Sequence, residues 1–283
     1  MASTAAQPVV LVTNDDGIDA PGLRFLVDQL VAQGRYRVLV CAPDTDRSGV
    51  SHCITWRSPL RCKRVDISGA TAFGVSGISG KLFDGLVPDL VLSGINIGNN
   101  CGLHVVYSGT VAGAREAFIY GIPALAMSYN CVNDLKVAAE VVMPLINAVM
   151  VEIKNGTYPK GSFLNIDVPT DAAHHKGHKI TKQGNYMARI GWEQTVYKKP
   201  AVESYQTANM NADTENDMEV DTSSENDLLF KRVIVKRSYD EEGGDDVDYK
   251  SLVDGYITVT PLGVHSRAEA GAIPYYKACL SRI

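Results

Sequence analysis

An unbroken apolar run that stops on acids constrains this chain most: Val9-Val10-Leu11-Val12, then Thr13-Asn14-Asp15-Asp16-Gly17. A strand with one wet face alternates apolar and polar residues, whereas a run apolar at every position is buried on both faces. Such a strand needs cover above and below, usually from helices that cross between parallel strands. The next residues supply that cover. Pro21 and Gly22 open an amphipathic helix carrying Leu23, Leu26, Val27, Leu30 and Val31 on one side, and Gly34 closes it. Tyr36 to Ala42 then reads as a second strand ending at Pro43. Strand, helix and strand with short links predict a doubly wound, mostly parallel α/β sheet of the Rossmann-like kind.

The pattern continues with a strand at Leu90 to Ser93 that ends at Gly94, a helix over Val111 to Ile119 and a strand at Ala124 to Ser128. A helix over Val137 to Lys154 and a strand at Phe163 to Val168 follow. After Pro169 the periodicity weakens. Ile180 to Lys198 reads as strands and turns, with further strands at Lys231 to Arg237 and Tyr256 to Thr260. The expected division is a catalytic core over 8–170 and a strand-rich tail over 171–283, with a disordered acidic insertion at 206–227.

The net charge of −5 conceals an uneven distribution. Met210 to Asp227 holds seven Asp or Glu and Asp240 to Asp248 six, with no Lys or Arg in either stretch. Without those thirteen acids, 27 basic residues face 19 acidic ones, a balance that suits an anionic ligand. No clustered basic stripe marks a nucleic-acid binder. Cys41, Cys53, Cys62, Cys101, Cys131 and Cys279 lack the paired short spacing of zinc sites or disulfide scaffolds. The most apolar later stretch, Val137 to Ile153, contains Glu140, Pro144, Asn147 and Glu152, so it is expected in a core rather than a membrane. Without a secretory signal or span, a cytosolic protein with reduced thiols is expected.

Ligands of open α/β sheets bind beyond the carboxyl ends of the strands. Asn14, Asp15 and Asp16 end the first strand, Asp44 to His52 follow the second, and Ser93 to Asn100 follow the third. Adjacent carboxylates repel unless a cation or proton intervenes, and a hard divalent cation resolves the conflict with oxygen ligands. The plainer alternative is a turn capped by Asp15 and made by Asp16-Gly17. Ser108-Gly109-Thr110 before a helix is either an anion cradle or an ordinary N-cap. His52 is either a phosphate partner or a structural histidine; His174, His175 and His178 read as solvated, and Arg115 and Glu116 as paired or solvent-facing. No G-x-G-x-x-G follows the first strand, and no Gly-Lys-Ser/Thr loop occurs. A receiver domain would need a phosphoacceptor Asp where Gly94 stands.

Taken together, VVLVTNDDGIDAPGL, VCAPDTDRSGVSH, PDLVLSGINIGNN, YSGTVAGAREAF, GIPALAMS and DDVDYKSLVDGYITVTPL closely resemble the SurE survival-protein family, the middle blocks most of all its plant members. The resemblance implies a metal-dependent phosphatase that hydrolyses nucleoside 5′- and 3′-monophosphates with Mg2+ or Mn2+. It implies Asp15, Asp16, Ser48 and Asn96 as metal ligands, with Asp15 and Asp16 catalytic. Asn14, Ser48, Gly49, Asn100, Ser108, Gly109 and Thr110 are then expected at the substrate. Homodimers or homotetramers built through the tail are implied too, with no duplex nucleic acid and no membrane as partner. Two other readings fit the same residues: a metal- or nucleotide-binding relative without turnover, and a general acid phosphatase for non-nucleotide substrates. The chain departs from the family where Phe73-Gly74-Val75-Ser76-Gly77 passes directly to Ile78-Ser79-Gly80, without the usual Gly-Thr-Pro-Ala-Asp-Cys segment.

Overall fold

A computed structural model of the chain describes residues 6–55, 59–75, 83, 85–195, 228–238 and 244–264. The first half forms β1 (Val9–Thr13), α1 (Pro21–Ala32), β2 (Arg37–Pro43), β3 (Cys62–Val65), β4 (Ala70–Val75), β5 (Leu90–Ile97) and a 3-10 turn at Gly102–Val106. The second half forms α2 (Gly109–Ile119), β6 (Ala124–Tyr129), α3 (Leu135–Asn155), β7 (Phe163–Val168), β8 (His178–Ile180), β9 (Met187–Thr195), β10 (Leu229–Ser238), α4 (Asp248–Val253) and β11 (Ile257–Leu262). The acidic segment 206–227, the break at Gly77-Ile78 and residues 196–198 lie outside the described residues.

Among the described residues nine strands make one sheet in the order β3-β4-β2-β1-β5-β6-β7-β11-β8. The body from β4 to β7 is parallel, while β3 and β11 run antiparallel to β4 and β7. From β1 the chain steps one way to β2 and later the other way through β5, β6 and β7, which places a switch point between β1 and β5. The doubly wound, mostly parallel sheet expected from the sequence is present, and the region after residue 170 adds β8 and β11 to it.

The unbroken apolar character of β1 is used on both faces. Val10 and Val12 belong to the core shared with α1 and α3, and Leu11 packs against the clusters on the other face, including Val111 of α2. Leu23, Leu26, Val27 and Leu30 of α1 are fully excluded from solvent. Each such burial is worth roughly 1.5–3 kcal/mol over exposure. Gly22 lets the helix approach β5 closely, since a Cβ there would lie 2.0 Å from the Ile95 carbonyl oxygen.

One boundary differs from the sequence reading in a way that matters. β5 does not stop at Gly94 but continues to Ile97. Gly94 takes φ +140°, and a Cβ there would meet the Met127 carbonyl oxygen at 2.3 Å, so only glycine passes the bend. The pairing with β6 shifts register between Ser93 and Asn96, as at a bulge, and then resumes with Asn96 opposite Ser128. Asn96 therefore stands on a strand rather than in a loop.

The chain divides into two compact units, Met1–Met187 with Tyr239–Ile283, and Ala188–Ser238. In the second unit β9 and β10 pair as a two-stranded ribbon. Trp192, Ile190, Phe230, Ile234 and Val235 on that ribbon are exposed.

Candidate active site

The carboxyl end of β1 delivers Asn14, Asp15 and Asp16 to the switch point. The Asn14 side chain closes the turn on itself: Nδ2 donates to the Gly17 carbonyl at 3.0 Å, and Oδ1 accepts from the Gly17 N–H at 3.2 Å. Asn14 therefore fixes the backbone that aims the two acids. Asp15 is buried, and Thr110 Oγ1 donates to its Oδ1 at 2.5 Å. The Gly109 N–H also donates to it, and a Cβ on Gly109 would fall 2.6 Å from Asp15 Cβ and Oδ2. Burial pushes the Asp15 carboxyl above its ordinary value, and the Thr110 bond pulls it back.

The Ser108-Gly109-Thr110 turn thus holds an anion that the chain itself provides. Ser108 is the N-cap of α2, its Oγ accepting from the Val111 N–H at 3.0 Å. Gly109 N–H and Thr110 Oγ1 face Asp15 across the positive end of the helix. Of the two readings the sequence left open, the N-cap is present at Ser108, and the anion that meets Gly109 and Thr110 is the Asp15 carboxylate.

Asp16 is the less satisfied of the pair. Its Oδ1 lies 3.3 Å from Ser48 Oγ, and its Oδ2 is buried without a hydrogen-bond partner. Burial, then the charges of Asp15 and Asp46, push its carboxyl up to about 7. Ser48 sits in the loop after β2, where Asp46 Oδ1 accepts both its N–H at 2.7 Å and its hydroxyl at 2.6 Å. One hydroxyl proton serves two carboxylates, so the contact it does not serve sets oxygen lone pairs against a carboxylate. A cation relieves that conflict. Gly49 follows at φ +75° with open space where a Cβ would stand.

From β5, Asn96 commits its amide nitrogen to the Gly98 carbonyl at 2.8 Å, which turns the amide oxygen away from that bond. Among the described residues no three His, Cys, Asp or Glu side chains converge as a metal cage. A cation here would draw on Asp15 and Asp16 together with the neutral oxygens of Ser48 and Asn96, a hard set suited to Mg2+ or Mn2+.

Asn100 is buried and serves its own loop. Its N–H donates to Asp167 Oδ1 at 2.6 Å, its Nδ2 to Ser128 Oγ at 2.7 Å, and its carbonyl accepts from Asn165 Nδ2 at 3.1 Å. The fully buried Asp167 on β7 escaped the sequence reading, although an acid inside the apolar strand FLNIDV was a visible signal. Burial raises it to about 7 despite the bonds from Asn100, Cys101 and Asn165. Asp248 holds the next residues, accepting from the Gly102 and Gly184 N–H groups at 2.8 and 3.0 Å.

His52 is a structural clip. Its Nε2 lies 3.0 Å from Arg115 Nη1 and its Nδ1 3.5 Å from Glu116 Oε2, joining the Ser48 loop to α2. Ser51 N–H reinforces that junction by donating to the Tyr107 carbonyl at 3.1 Å. Arg115 and Glu116 thus each meet His52, and Arg115 also lies over the Phe163 ring at 5.6 Å. Of the histidine group, His174 meets Asp171 at 3.0 Å and His178 belongs to β8.

These elements define a class of protein: a doubly wound α/β chain whose switch point presents paired aspartates and neutral side-chain oxygens beside a helix N-terminus. The family model described as Survival protein SurE matches residues 10–189. The 5'-nucleotidase SurE of Thermosipho africanus is 34% identical over 268 residues, covering 90% of this chain and 91% of that protein. The 5'-nucleotidase SurE of Symbiobacterium thermophilum is 39% identical over 228 residues, covering 76% and 87%. The crystal structure of the SurE protein from Aquifex aeolicus aligns with a TM-score of 0.68 and 28% identity, over 95% of this chain and 100% of that chain. The chain belongs to the SurE survival-protein family.

Proposed function

We propose that this chain is a metal-dependent phosphomonoesterase that hydrolyses nucleoside 5′-monophosphates, and 3′-monophosphates with them, to nucleoside and phosphate. The observation that carries the reading is the Asp15–Asp16 pair at the switch point, one of whose buried oxygens, Asp16 Oδ2, has no partner. The names of the similar proteins supply the substrate class. Asp15, Asp16, Ser48 and Asn96 would hold Mg2+ or Mn2+. When bound, such a cation supplies Lewis acidity to the phosphoryl group.

The chain's own residues do the rest. Asp16 Oδ2 orients the attacking water and takes its proton in a single-step displacement. Asp15, fixed by Thr110 and Gly109, keeps its charge in place. Ser48 and Gly49 on one loop, with Ser108, Gly109 and Thr110 on the other, frame the phosphate. Asn14 and Asn100 contribute by holding the backbones of their loops. The segment 8–170 carries this chemistry, and 171–283 serves assembly into a homodimer or homotetramer, which light scattering on the purified chain measures. Among the described residues Cys41, Cys53, Cys62, Cys101 and Cys131 form no disulfide, which goes with a reducing, cytosolic setting.

Phosphate release from a panel of nucleoside 5′- and 3′-monophosphates tests the proposal, with Mg2+, with Mn2+ and with chelator. Metal-dependent release selective for nucleotides is the expected result. Equal release from every phosphomonoester would make the chain a general phosphatase, and no release under any metal would make it a binding protein.

A further inference from the structure

Two carboxylates compete for one proton at Ser48, and the geometry decides between them. Asp46 Oδ1 lies 2.6 Å from the Ser48 hydroxyl and Asp16 Oδ1 lies 3.3 Å from it. The shorter contact takes the proton, because a charge-assisted O–H···O bond is strongest near 2.5–2.7 Å. The Ser48 oxygen then presents a lone pair, not a hydrogen, toward Asp16. That orientation is the one a hydroxyl ligand needs, since a cation coordinates through oxygen lone pairs and repels a proton aimed at it.

We propose that Asp46 is a positioning residue for the cation site: it holds the Ser48 proton away from the Asp15–Asp16 pair, so that the hydroxyl oxygen is free to ligate. The inference rests on the metal-dependent reading above. The bond from the Ser48 N–H to Asp46 Oδ1 at 2.7 Å is an ordinary turn closed by an aspartate side chain, and alone it would make Asp46 a loop residue. The hydroxyl bond is additional, and the turn does not require it. The turn does fix which carboxyl oxygen faces Ser48, so the acceptor stays in place whether or not the side chain is charged.

That last point gives the test. Asp46→Asn and Asp46→Ala both remove the charge, but only Asp46→Ala removes the acceptor. In Asp46→Asn the Ser48 N–H keeps the side-chain amide oxygen turned inward. Mn2+ affinity of the metal-free full-length protein is measured by electron paramagnetic resonance of free Mn2+, without substrate. Outer-sphere partners of metal ligands are worth about 10–100-fold in affinity, so Asp46→Ala is expected to weaken Mn2+ at least about ten-fold. Asp46→Asn should stay much closer to wild type. Equal weakening in both variants would show that Asp46 acts through its charge alone and overturn the proposal, as would no weakening in either. Asp46 and Ser48 are both exposed, so metal-free melting temperatures should match wild type. A melting loss that accounts for the weaker binding of Asp46→Ala would make the turn its whole role and equally overturn it. If the wild type binds no Mn2+, it is the metal-dependent reading that falls, and this inference with it.

Discussion

Thr110 Oγ1 donates to Asp15 Oδ1 at 2.5 Å, tying the first turn of α2 to the end of β1 across 95 residues of sequence. The bond satisfies a carboxylate that has lost most of its water. Thr110→Val keeps the shape and removes the donor, which should destabilise the metal-free protein by about 1–3 kcal/mol, the usual cost of a deserted buried polar group. Thr110→Ser keeps the hydroxyl and should lose far less. Denaturant unfolding of the two variants side by side measures the difference.

That bond also marks how far the sequence could be read. β1, β2 and β7 were legible as short apolar runs and α1 by its helical period, each signal contained within a few residues. β3 was not, since Cys62-Lys63-Arg64 of this edge strand is exposed and carries no apolar alternation. α4 has six residues and β8 three, too short for a period to establish itself. At the site, Asp15 and Asp16 were legible as a local run at a strand end. Their surroundings were not: the bond from Thr110 to Asp15, and that from the Asn100 N–H to Asp167, exist only once the sheet brings separate strand ends together. Ser108 was readable as a cap or as a cradle, and local sequence could not choose, because the anion facing it comes from β1.

Gly109→Ala is the sharpest steric test of the site. The added Cβ would lie 2.6 Å from Asp15 Oδ2, against a side chain pinned at the strand end. Either Asp15 or the start of α2 must move, at the usual overpacking cost of about 1–3 kcal/mol. A displacement of about 1 Å at Asp15, whose catalytic role is proposed above, should lower phosphate release roughly 100-fold. Gly49→Ala, where the Cβ would enter open space, should keep more activity although its φ is +75°. Steady-state rates at saturating Mn2+ compare the two.

Asp16→Asn should separate function from stability. Removing the proposed proton acceptor should cost turnover about 100-fold or more. The same change removes one of two neighbouring like charges, so the metal-free variant should melt at or above wild type. Phosphate release and calorimetry on one preparation test both halves. Unchanged turnover would remove Asp16 from the mechanism.

Asp167 should make stability fall with rising pH. Its carboxyl titrates near 3.8 when unfolded and about 7 when folded, burial being the main cause. Between those values the folded chain holds a proton that the unfolded chain has released. The stabilising contribution is therefore complete below 3.8 and is lost as pH rises through about 7. Asp167→Asn cannot ionise and should show a flatter profile over that window. Urea unfolding at a series of pH values, wild type against variant, reads the slope.

His52 should act in the opposite direction, and through the loop that carries Ser48. Burial, then the Arg115 charge, depress its pKa below 6.5, and Glu116 opposes them. The neutral ring accepts from Arg115 at 3.0 Å; a protonated ring would set two cations against each other there. For a histidine with a depressed folded value, stability is complete above 6.5 and is lost as pH falls through the lower folded value. Protonation should cost the clip about 1 kcal/mol, the net worth of one hydrogen bond, or roughly a five-fold rise in loop opening. Arg47 lies exposed in that loop, so tryptic cleavage after it reports the opening. His52→Gln offers Arg115 a neutral acceptor at every pH, and its use at each pH cancels the protease's own pH dependence. The ratio of wild-type to variant cleavage should rise as pH drops below about 6.5, the value the ring holds when unperturbed. A flat ratio would show that the junction between the Ser48 loop and α2 rests on the Ser51–Tyr107 backbone bond and not on the histidine.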